Sequence, residues 1–574
     1  MATKKFTDNK NTQIVLALLK AHGIRKVIAS PGTTNIALVA SMMHDSWFEM
    51  YSSVDERSAA YIACGLASES SEPVVLTCTG ATASRNYFPG LTEAYYRKLP
   101  ILAITGSHGE DHLGHLSAQS MDRTQAPKDT VVFSSSVKLS DTEWKVTIET
   151  NKAILALKHR GGGPAHLNLE SAAYGTFNTE ELPPVRVIKR YTNIRNYPEL
   201  KATNIAIFIG SHKPFSAAET SVIDRFCESN NAAVFCDHTS GYKGKYAVRN
   251  ALHASQIYCD RSLYKADLLI HIGEVTGEFY EPGKFCTPQT WRVSEDGEVR
   301  DRFGNLTAVF ESDVETFFEY YSRDTQKANL TYFETLKAEH DAIFSQIPEL
   351  PFGNIWMVQQ MYNKLPHNSV IHLSIFNTLR SWNFFDIDNN IRTSCNVGGF
   401  GIDGPLSTMI GQSLANPEKI NFAFVGDLSF FYDMNSLGNR HIGRNVRILL
   451  INNGRGTEFR NFDHPASKWG KDADSFMAAG GHFGSQSRNL VKHFAEDLGF
   501  LYITADRKES FLKLMPVFLS PEITDRPIIF EVFTTPEDES RAIELCRNIY
   551  KDGRSFTDKA IGKAKSIVKT MIRK

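Results

Sequence analysis

Short apolar runs alternate with longer helical stretches along almost the whole chain of 574 residues, and this alternation limits the possible folds more than any other feature. The runs are RKVIAS, PVVLTCT, LPILAITG, TNIAIFIGS, AAVFCD, ADLLIHIGE, NSVIHLS, NFAFVGD, VRILLINN and PIIFEVF. They are apolar rather than strictly alternating, as strands covered by helices on both faces should be. The pattern predicts an α/β protein with mainly parallel sheets.

The chain is too long for one hydrophobic core, and it breaks at two proline-containing segments, 182–185 and 348–353. The predicted domains are 1–182, 186–346 and 354–550, followed by a tail at 551–574. The tail has the pattern of a basic amphipathic helix. We expect it to dock on its own subunit, with an anionic membrane surface or a partner as the alternative.

Composition excludes several classes of function. The formal net charge of −1 gives no bulk reason to expect a nucleic-acid partner. The eight cysteines are scattered without a CxxC pair, which favours reduced thiols in a cytoplasmic protein over disulfides or zinc. The first residues lack the apolar segment of a signal peptide, and no apolar stretch is long enough to span a membrane. We therefore expect a cytoplasmic protein.

Polar residues follow two of the apolar runs. One run ends in Gly426-Asp427, and the next ends in Asn452-Asn453-Gly454, with room between them for one crossover helix. Parallel strands joined in this way have their carboxyl ends at the same edge of the sheet, where open α/β sheets bind ligands. A carboxylate and an amide oxygen there suit a hard cation that also takes phosphate oxygens. The alternative is that Asp427 only caps a helix and the Asn-Gly pair only forms a turn.

The same residues carry a resemblance. Gly-Asp followed after about 25 residues by Asn-Asn is similar to the signature of thiamine diphosphate-dependent enzymes. More closely, GIDGPLST (401–408), VGDLSFFYDMNSL (425–437) and NNGRGTEF (452–459) resemble segments of the SEPHCHC synthase family of menaquinone biosynthesis. The resemblance implies three Rossmann-like, doubly wound domains: pyrimidine-binding, central and diphosphate-binding.

The resemblance also implies a set of site residues. Mg²⁺ would be bound by Asp427, Asn453 and the backbone carbonyl of Arg455, and would bridge the diphosphate. The bulky side chain of Ile402 would hold the two cofactor rings in their bent arrangement. The implied cofactor contacts are Pro31, Gly32, Thr33, Glu56, Gly80, Ile402, Gly426, Asp427, Leu428, Ser429, Asn453, Arg455, Gly456 and Thr457.

Thiamine diphosphate requires one carboxyl group from elsewhere in the chain, hydrogen-bonded to N1′ of its aminopyrimidine. Glu56 is the candidate, since it opens a helix after the strand-like segment FEMYSSV. The alternative is local, because Ser53 and Glu56 have the spacing of a capping box and acids favour helix N-termini. The segments PGTTN (31–35) and TCTGATASRNYFPGLTEAY (77–95) resemble the pyrimidine-binding domain, and this favours Glu56 as the cofactor activator.

Departures from the SEPHCHC synthase pattern fall on substrate positions. That family has an arginine where this chain has Thr34, another near His108, and an Asn-Arg pair where this chain has Asn396-Val397. Arginines bind carboxylates in a bidentate manner, so their loss argues against isochorismate and 2-oxoglutarate as substrates. The weaker substrate candidates are Thr34, Asn35, Arg380 and Asn396.

The segment 106–125 introduces His108, His112, His115 and Gln119 on a loop that faces the cofactor in relatives. A histidine there could transfer a proton near neutral pH, although any one of them could instead be a surface residue.

The predicted function is a carboligase dependent on thiamine diphosphate and Mg²⁺, which decarboxylates a 2-oxo acid and transfers the acyl unit to an acceptor. The alternatives are a simple 2-oxo acid decarboxylase and a thiamine diphosphate-binding scaffold without activity. The family shares its active site between subunits, so the resemblance implies a homodimer or homotetramer. The sequence gives no reason to expect FAD.

Overall fold

The structure is a computed structural model that describes residues 5–123, 126–171, 175–322, 328–482 and 486–550. The chain forms two compact units. Unit 1 comprises Met1–Asn193 and Asp296–Glu311, and unit 2 comprises Ile194–Glu295 and Ser312–Lys574. The predicted helical tail, 551–574, lies outside the described residues, and the predicted domain boundaries stay predictions.

Unit 1 is built on a parallel sheet with the strand order β2-β1-β3-β4-β6-β5. Its strands are β1 (Lys26–Ala29), β2 (Glu49–Ser52), β3 (Val74–Thr79), β4 (Ile101–Ser107), β5 (Phe133–Val137) and β6 (Ala165–Glu170). Unit 1 also contains the parallel pair of β7 (Lys189–Tyr191) and β13 (Leu306–Glu311). The helices are α1 (Lys10–Ala21), α2 (Ile36–Met43), α3 (Glu56–Ser70), α4 (Thr82–Asn86), α5 (Phe88–Arg97) and α6 (Glu143–Ala156).

Both faces of this sheet are covered. Val27 and Leu102 pack into one apolar cluster, and their neighbours Ile28 and Ala103 pack into the cluster on the opposite face. Successive strand residues point to opposite faces, so a strand buried on both sides must be apolar throughout. This explains why the runs that form β1, β3 and β4 do not alternate with polar residues.

Unit 2 contains two parallel sheets. The first has the order β10-β9-β8-β11-β12 within this unit, and the second has the order β15-β14-β16-β17-β19-β18. The strands of the first are β8 (Ile205–Ile209), β9 (Ala232–Cys236), β10 (Ala247–Val248), β11 (Leu268–Ile272) and β12 (Thr290–Ser294). The strands of the second are β14 (Ser369–Leu373), β15 (Arg392–Cys395), β16 (Ile420–Gly426), β17 (Val446–Asn452), β18 (Leu501–Ala505) and β19 (Ile528–Phe533).

Eleven helices of unit 2 surround these sheets in the described residues. They are α7 (Ala217–Asn230), α8 (Ala251–Ala254), α9 (Val314–Tyr321), α10 (Thr331–Phe344), α11 (Asn354–Met361), α12 (Asn377–Asn383), α13 (Pro405–Ala415), α14 (Asp427–Asp433), α15 (Leu490–Asp497), α16 (Lys508–Phe518) and α17 (Pro536–Arg547). The predicted α/β class with mainly parallel sheets is confirmed.

The sheet of unit 1 and the second sheet of unit 2 have the same topology. Counted from the first strand of each, both read 2-1-3-4-6-5. In such a sheet the chain reverses its direction of winding between strands 1 and 3, and ligands bind in the crevice at the carboxyl ends of these strands. The topology therefore selects the ends of β1 and β3 in unit 1 and the ends of β14 and β16 in unit 2.

All eight cysteines are free thiols, and Cys64, Cys78 and Cys236 are buried as expected. Within the described ranges, no helix combines the length and the apolar character that crossing a membrane requires.

Candidate active site

A cavity of about 600 Å³ opens at the carboxyl ends of β14, β16 and β17 in unit 2. Residues 374–378 line it after β14, residues 426–429 after β16, and Asn453 with residues 455–459 after β17. The cavity lies at the topological switch point of the sheet, where open α/β sheets bind their ligands. The two predicted ligand-bearing segments are thus neighbours, since β16 and β17 pair in parallel with Gly426 opposite Ile451.

Asp427 is the first residue of α14 and its carboxylate is buried. Oδ1 accepts a hydrogen bond from the Leu428 N–H at 2.7 Å. Oδ2 accepts three more from the backbone of the neighbouring loop: from Asn453 at 3.2 Å, Gly454 at 2.6 Å and Arg455 at 3.1 Å. The cap position belongs to Gly426, so the interpretation of Asp427 as a simple helix cap is wrong.

Asn453 completes the polar floor of the cavity. Its amide nitrogen donates to Thr457 Oγ1 at 3.4 Å, whereas its Oδ1 is buried without a hydrogen-bond partner among the described residues. A buried amide oxygen without a partner is costly unless a donor or a cation occupies the space in front of it. The Asp427 carboxylate and this oxygen form a donor set of hard oxygen atoms, which fits Mg²⁺.

Burial raises the pKa of Asp427 to about 6, even though four backbone N–H groups favour the charged form. A second buried acid, Glu539, lines the same cavity, and burial raises its pKa to about 7. Its Oε2 accepts a hydrogen bond from the Asn354 N–H at 3.0 Å. A cation in this cavity would favour the charged forms of both acids. The sequence reasoning missed Glu539, because an acid in the first turns of a helix is common.

Contacts with neighbouring segments hold the loop after β17 in place. The Arg455 side chain forms an ion pair with Asp474, which also accepts from Arg460 Nη1 at 2.6 Å. The Gly456 N–H donates to the Ala478 carbonyl at 2.7 Å, and a Cβ atom at Gly456 would lie 3.2 Å from the Leu428 side chain. A glycine thus allows close packing of the loop on α14.

Ile402 lies on the cavity wall, on the loop before α13. The Ser429 hydroxyl donates to the Ile402 carbonyl at 2.5 Å and accepts from Ser374 Oγ at 2.9 Å. These two hydrogen bonds connect the segments that follow β14, β15 and β16, at Ser374, Ile402 and Ser429 respectively. They hold the Ile402 side chain at a fixed place in the wall.

Two of the weaker substrate candidates in unit 2 are engaged in internal contacts. Arg380 forms an ion pair with Glu458 and does not line the cavity, whereas Glu458 does. The Asn396 amide donates to Thr408 Oγ1 at 3.0 Å. The sequence reasoning missed Glu458, since nothing local indicates that it meets a side chain 78 residues earlier.

The second part of the predicted site belongs to unit 1. Glu56 is the first residue of α3, its side chain is partly exposed, and Asn86 Nδ2 donates to its Oε2 at 3.4 Å. The predicted capping box is wrong, because the helix is capped by Asp55, which accepts from the Ser58 N–H at 3.1 Å. The helix therefore begins two residues later than the box requires. The Glu56 carboxylate is not used in capping.

The loop after β1 packs closely on the end of β3. A Cβ atom at Gly32 would lie 2.6 Å from Thr79 Cβ, and one at Gly80 would lie 2.0 Å from Arg123 Nη1. Thr34 is buried, with its hydroxyl hydrogen-bonded to Thr79 and donating to the Gly106 carbonyl at 3.0 Å. Pro31 and Thr33, by contrast, are exposed. Asn35 is buried and donates to the Ser30 carbonyl at 3.0 Å.

His108, His112, His115 and Gln119 are exposed on the loop after β4. Gln119 has a positive φ of 60°, which is uncommon for a residue with a side chain. The loop has little regular structure apart from one short turn at Glu110–His112. Unit 1 also contains a cavity, and none of these four side chains lines it.

That cavity, of about 390 Å³, is lined by Arg123 and His166. Arg123 donates to the Gly106 carbonyl at 3.2 Å and to Asn168 Oδ1 at 2.7 Å. Burial, together with the positive charge of Arg123, lowers the pKa of His166 to about 4. The sequence reasoning missed both residues, because neither belongs to a recognisable motif.

Among the described residues, no group of three or more His, Cys, Asp or Glu side chains is arranged to hold a metal ion. The prediction that the chain has no zinc site stays a prediction. The Asp427 and Asn453 pair is a different kind of donor set, with one carboxylate and one amide.

Comparisons with known proteins place the chain among thiamine diphosphate-dependent enzymes. Residues 9–126 match the family model described as thiamine pyrophosphate enzyme, N-terminal TPP binding domain. The chain is 31% identical to the 2-succinyl-5-enolpyruvyl-6-hydroxy-3-cyclohexene-1-carboxylate synthase (SEPHCHC synthase) of Bacteroides fragilis, over 94% of this chain and 98% of that protein. It is 30% identical to the synthase of the same name from Phocaeicola vulgatus, over 95% of this chain and 98% of that protein.

One solved structure that matches is the Rhodococcus jostii RHA1 thiamine diphosphate-dependent 4-hydroxybenzoylformate decarboxylase. The match has 16% identity and a TM-score of 0.39, and it covers 92% of this chain and 99% of that chain.

Proposed function

Because this chain belongs to the thiamine diphosphate-dependent enzyme family that contains the SEPHCHC synthases, we propose that it is a Mg²⁺-dependent carboligase acting on a 2-oxo acid. It decarboxylates the 2-oxo acid and transfers the acyl unit to a carbonyl or activated-alkene acceptor. The observation that carries the proposal is the lining of the 600 Å³ cavity, which includes both the buried Asp427 and Asn453. The Oδ1 atom of Asn453 is buried without a hydrogen-bond partner among the described residues.

The residues of unit 2 would hold the diphosphate end of the cofactor. Asp427 and Asn453 would bind Mg²⁺ through side-chain oxygens, and the Arg455 carbonyl would be the third protein ligand. The Arg455 side chain forms an ion pair with Asp474, so it is engaged elsewhere and only the backbone carbonyl is proposed as a ligand. Ile402 would contact the cofactor rings from the cavity wall.

When bound, thiamine diphosphate supplies a carbon nucleophile for the 2-oxo acid and accepts the electron pair released with carbon dioxide. Glu56 holds a proton at N1′ of the aminopyrimidine, and this sets the ring's tautomer. Its position at the start of α3, free of any role in capping, supports that assignment. His108, His112, His115 and Gln119 remain candidates for proton transfer to the bound substrate.

The name of the relatives gives one candidate reaction for this chain, but the substrate positions argue for different substrates. Thr34 and Val397 stand where the SEPHCHC synthase pattern has arginines, and both are buried. Losing these positive charges removes two places where a substrate carboxylate would bind. We therefore propose a less acidic acceptor, such as an aldehyde or a keto sugar.

We also propose that the chain self-associates as a homodimer or homotetramer. Exposed apolar side chains lie close in sequence to both groups of site residues: Val54, Tyr61 and Ile62 near Glu56, and Tyr432 near Asp427. Exposed apolar side chains that form one contiguous patch mark protein interfaces, and an interface at these positions would place both groups of site residues near a second subunit. Sedimentation equilibrium tests this proposal, and a monomer at all concentrations would contradict it.

The proposed function is tested by a screen of 2-oxo acids for carbon dioxide release, with thiamine diphosphate and Mg²⁺ present and with or without aldehyde acceptors. We expect release that depends on both additions and a ligated product when an acceptor is present. Glu56→Gln should lower the rate by about 10²-fold or more, whereas Glu69→Gln, at the exposed end of the same helix, should not.

Two outcomes would count against the proposal. Release without any ligated product, for every acceptor tried, would identify a simple decarboxylase. Thiamine diphosphate binding without turnover of any 2-oxo acid would favour an inactive scaffold.

A further inference from the structure

Glu458 and Arg380 form a bidentate ion pair beside the 600 Å³ cavity. Arg380 Nη1 donates to Glu458 Oε2 at 2.8 Å, and Nη2 donates to Oε1 at 2.9 Å. The Arg380 side chain is 9% exposed and the Glu458 side chain 22% exposed. Paired hydrogen bonds of this kind fix both groups in one plane and are among the strongest that charged side chains make.

The pair occupies the end of the Arg380 guanidinium that carries both Nη atoms. Its Nη1 also donates to Asn377 Oδ1 at 2.9 Å, and the Phe279 ring covers the guanidinium at 5.6 Å. Its Nε is buried, and Arg380 is not among the residues that line the cavity. A carboxylate could form the same bidentate pair with both Nη atoms only by displacing Glu458.

Glu458 lines the cavity at this point, whereas Arg380 does not. Two other acids, Asp427 and Glu539, line the same cavity. The cationic side chain of the lining, Arg455, is paired with Asp474. A second carboxylate on a substrate would therefore meet negative charge here and no available guanidinium.

Glu458 retains acceptor capacity toward a ligand. A carboxylate oxygen can accept two hydrogen bonds, and Oε1 accepts one, from Arg380. Oε2 accepts two, from Arg380 and from Asn461 Nδ2 at 3.2 Å. The apolar side chains of Phe376 and Phe459 lie in the same lining. An uncharged ligand that carries a hydroxyl group matches one free acceptor position next to an apolar surface.

We propose that Glu458 is a specificity-determining residue, which neutralises Arg380 and thereby selects an uncharged, hydroxyl-bearing carbonyl compound over a substrate with a second carboxylate. The inference rests on the proposed function, and it gives the class of acceptor that residues of this chain would select.

The test measures glutarate binding by calorimetry to the protein loaded with thiamine diphosphate and Mg²⁺. Glutarate is a dicarboxylate without a reactive carbonyl group. Glu458→Gln should release Arg380 and lower the Kd for glutarate by about tenfold or more. Glu537→Gln removes the same charge from a side chain that is 70% exposed, so it is the matched control and should bind glutarate as the wild type does.

The double variant Arg380→Leu/Glu458→Leu tests whether tighter glutarate binding comes from the released Arg380 guanidinium or only from a change in the cavity. It should bind glutarate no better than the wild type, since it has no arginine to offer. Should it not fold, the comparison of Glu458→Gln with Glu537→Gln decides alone. In the wild type, the KM for glyceraldehyde as acceptor should lie below the KM for propanal, without an equal change in kcat.

Equal glutarate affinity in the wild type and Glu458→Gln would overturn the inference, as would a KM for propanal equal to or below that for glyceraldehyde. Either result leaves the proposed function intact if Glu56-dependent carbon dioxide release is present. If that release is absent, it is the proposed function that fails.

Discussion

Asn452 and Asn453 are adjacent residues with the same side chain but opposite roles. Asn452 is the last residue of β17, and its Nδ2 donates to the buried Glu531 at 2.7 Å. Asn453 is the next residue and lines the cavity. Neighbouring residues at the end of a strand point to opposite sides. One asparagine therefore anchors the loop, and the other is available to a cation.

Replacing Asn453 by alanine should weaken Mg²⁺ binding without unfolding the protein. The change removes one of the two side-chain oxygens proposed to bind the ion, so the Mg²⁺ concentration for half-maximal thiamine diphosphate binding should rise by about tenfold or more. Calorimetry at varied Mg²⁺ measures this. Asn435→Ala, an exposed asparagine between the same two strands, is the control. An unchanged Mg²⁺ requirement would show that Asn453 is not a ligand.

The sequence predicted some site residues and missed others for a physical reason. Asp427 and Asn453 follow two consecutive strands, so parallel pairing alone brings them to one edge. The pairing of Arg380 with Glu458, and the contact of Arg123 with Gly80, depend on side-chain packing between distant segments. No spacing rule predicts such contacts. The role of Glu56 needed the family resemblance, since its local pattern equally suggested a helix cap.

Among the strands, all ten apolar runs are confirmed as β-structure. The less apolar strands were missed, such as β5 with its serines and β6 with His166 and Asn168. β5 is the edge strand of its sheet and is partly exposed, so it tolerates polar residues. β6 lies between β4 and β5, and its His166 and Asn168 side chains are buried. Apolar content therefore did not identify strands that carry polar side chains, whether at the edge or inside the sheet.

Helix α16 ends against a buried arginine on β17. Arg447 is fully buried and donates to the carbonyls of Phe518 at 2.7 Å, Ser520 at 2.6 Å and Glu522 at 2.5 Å. The last carbonyls of a helix lack hydrogen-bond donors within the helix. Arg447 donates to one of them, at Phe518, and to two carbonyls just beyond the helix. Burial lowers the pKa of Arg447 to about 10, which leaves it charged at neutral pH.

Arg447→Met should lower the free energy of unfolding by about 3 kcal/mol, because it leaves several buried carbonyls without donors. Urea denaturation followed by circular dichroism measures the change. Arg507→Met, whose side chain is 69% exposed, provides the control. A loss below about 0.5 kcal/mol would mean that water replaces the missing donors.

Across the molecule, two sheets with the same 2-1-3-4-6-5 order present equivalent edges, one in each unit. The first edge carries the loop at residues 30–35, and the second carries Asp427. The alternating pattern of strands and helices predicted the class of fold. It did not predict that the segment Asp296–Glu311 belongs to unit 1, because this depends on packing far from the site.

Stability should fall as pH rises through the range in which a buried acid of unit 2 ionises. Burial raises the pKa of Glu278 to about 7 from an ordinary 4.5, and the charge of Asp237 adds to the effect. Between these values the folded protein holds a proton that the unfolded chain has released, so folding is favoured at the lower pH.

Glu278→Gln should therefore reduce the loss of unfolding free energy between pH 5 and pH 8 by on the order of 2 kcal/mol. Glutamine keeps an oxygen to accept the N–H groups of Tyr280 and Glu281. Glu199→Gln, with its exposed side chain, should leave the pH dependence as it is. The same pH dependence in the wild type and Glu278→Gln would contradict the assignment.

We propose that Glu56 activates thiamine diphosphate that is held by Asp427 and Asn453. Exchange of the C2 proton of bound thiamine diphosphate with deuterium, followed by NMR in the presence of Mg²⁺, tests this role without knowledge of the substrate. We expect Glu56→Ala to slow the exchange by about 10²–10⁴-fold while calorimetry still shows cofactor binding. The same exchange rate in the wild type and Glu56→Ala, with cofactor bound in both, would show that Glu56 is not the activator.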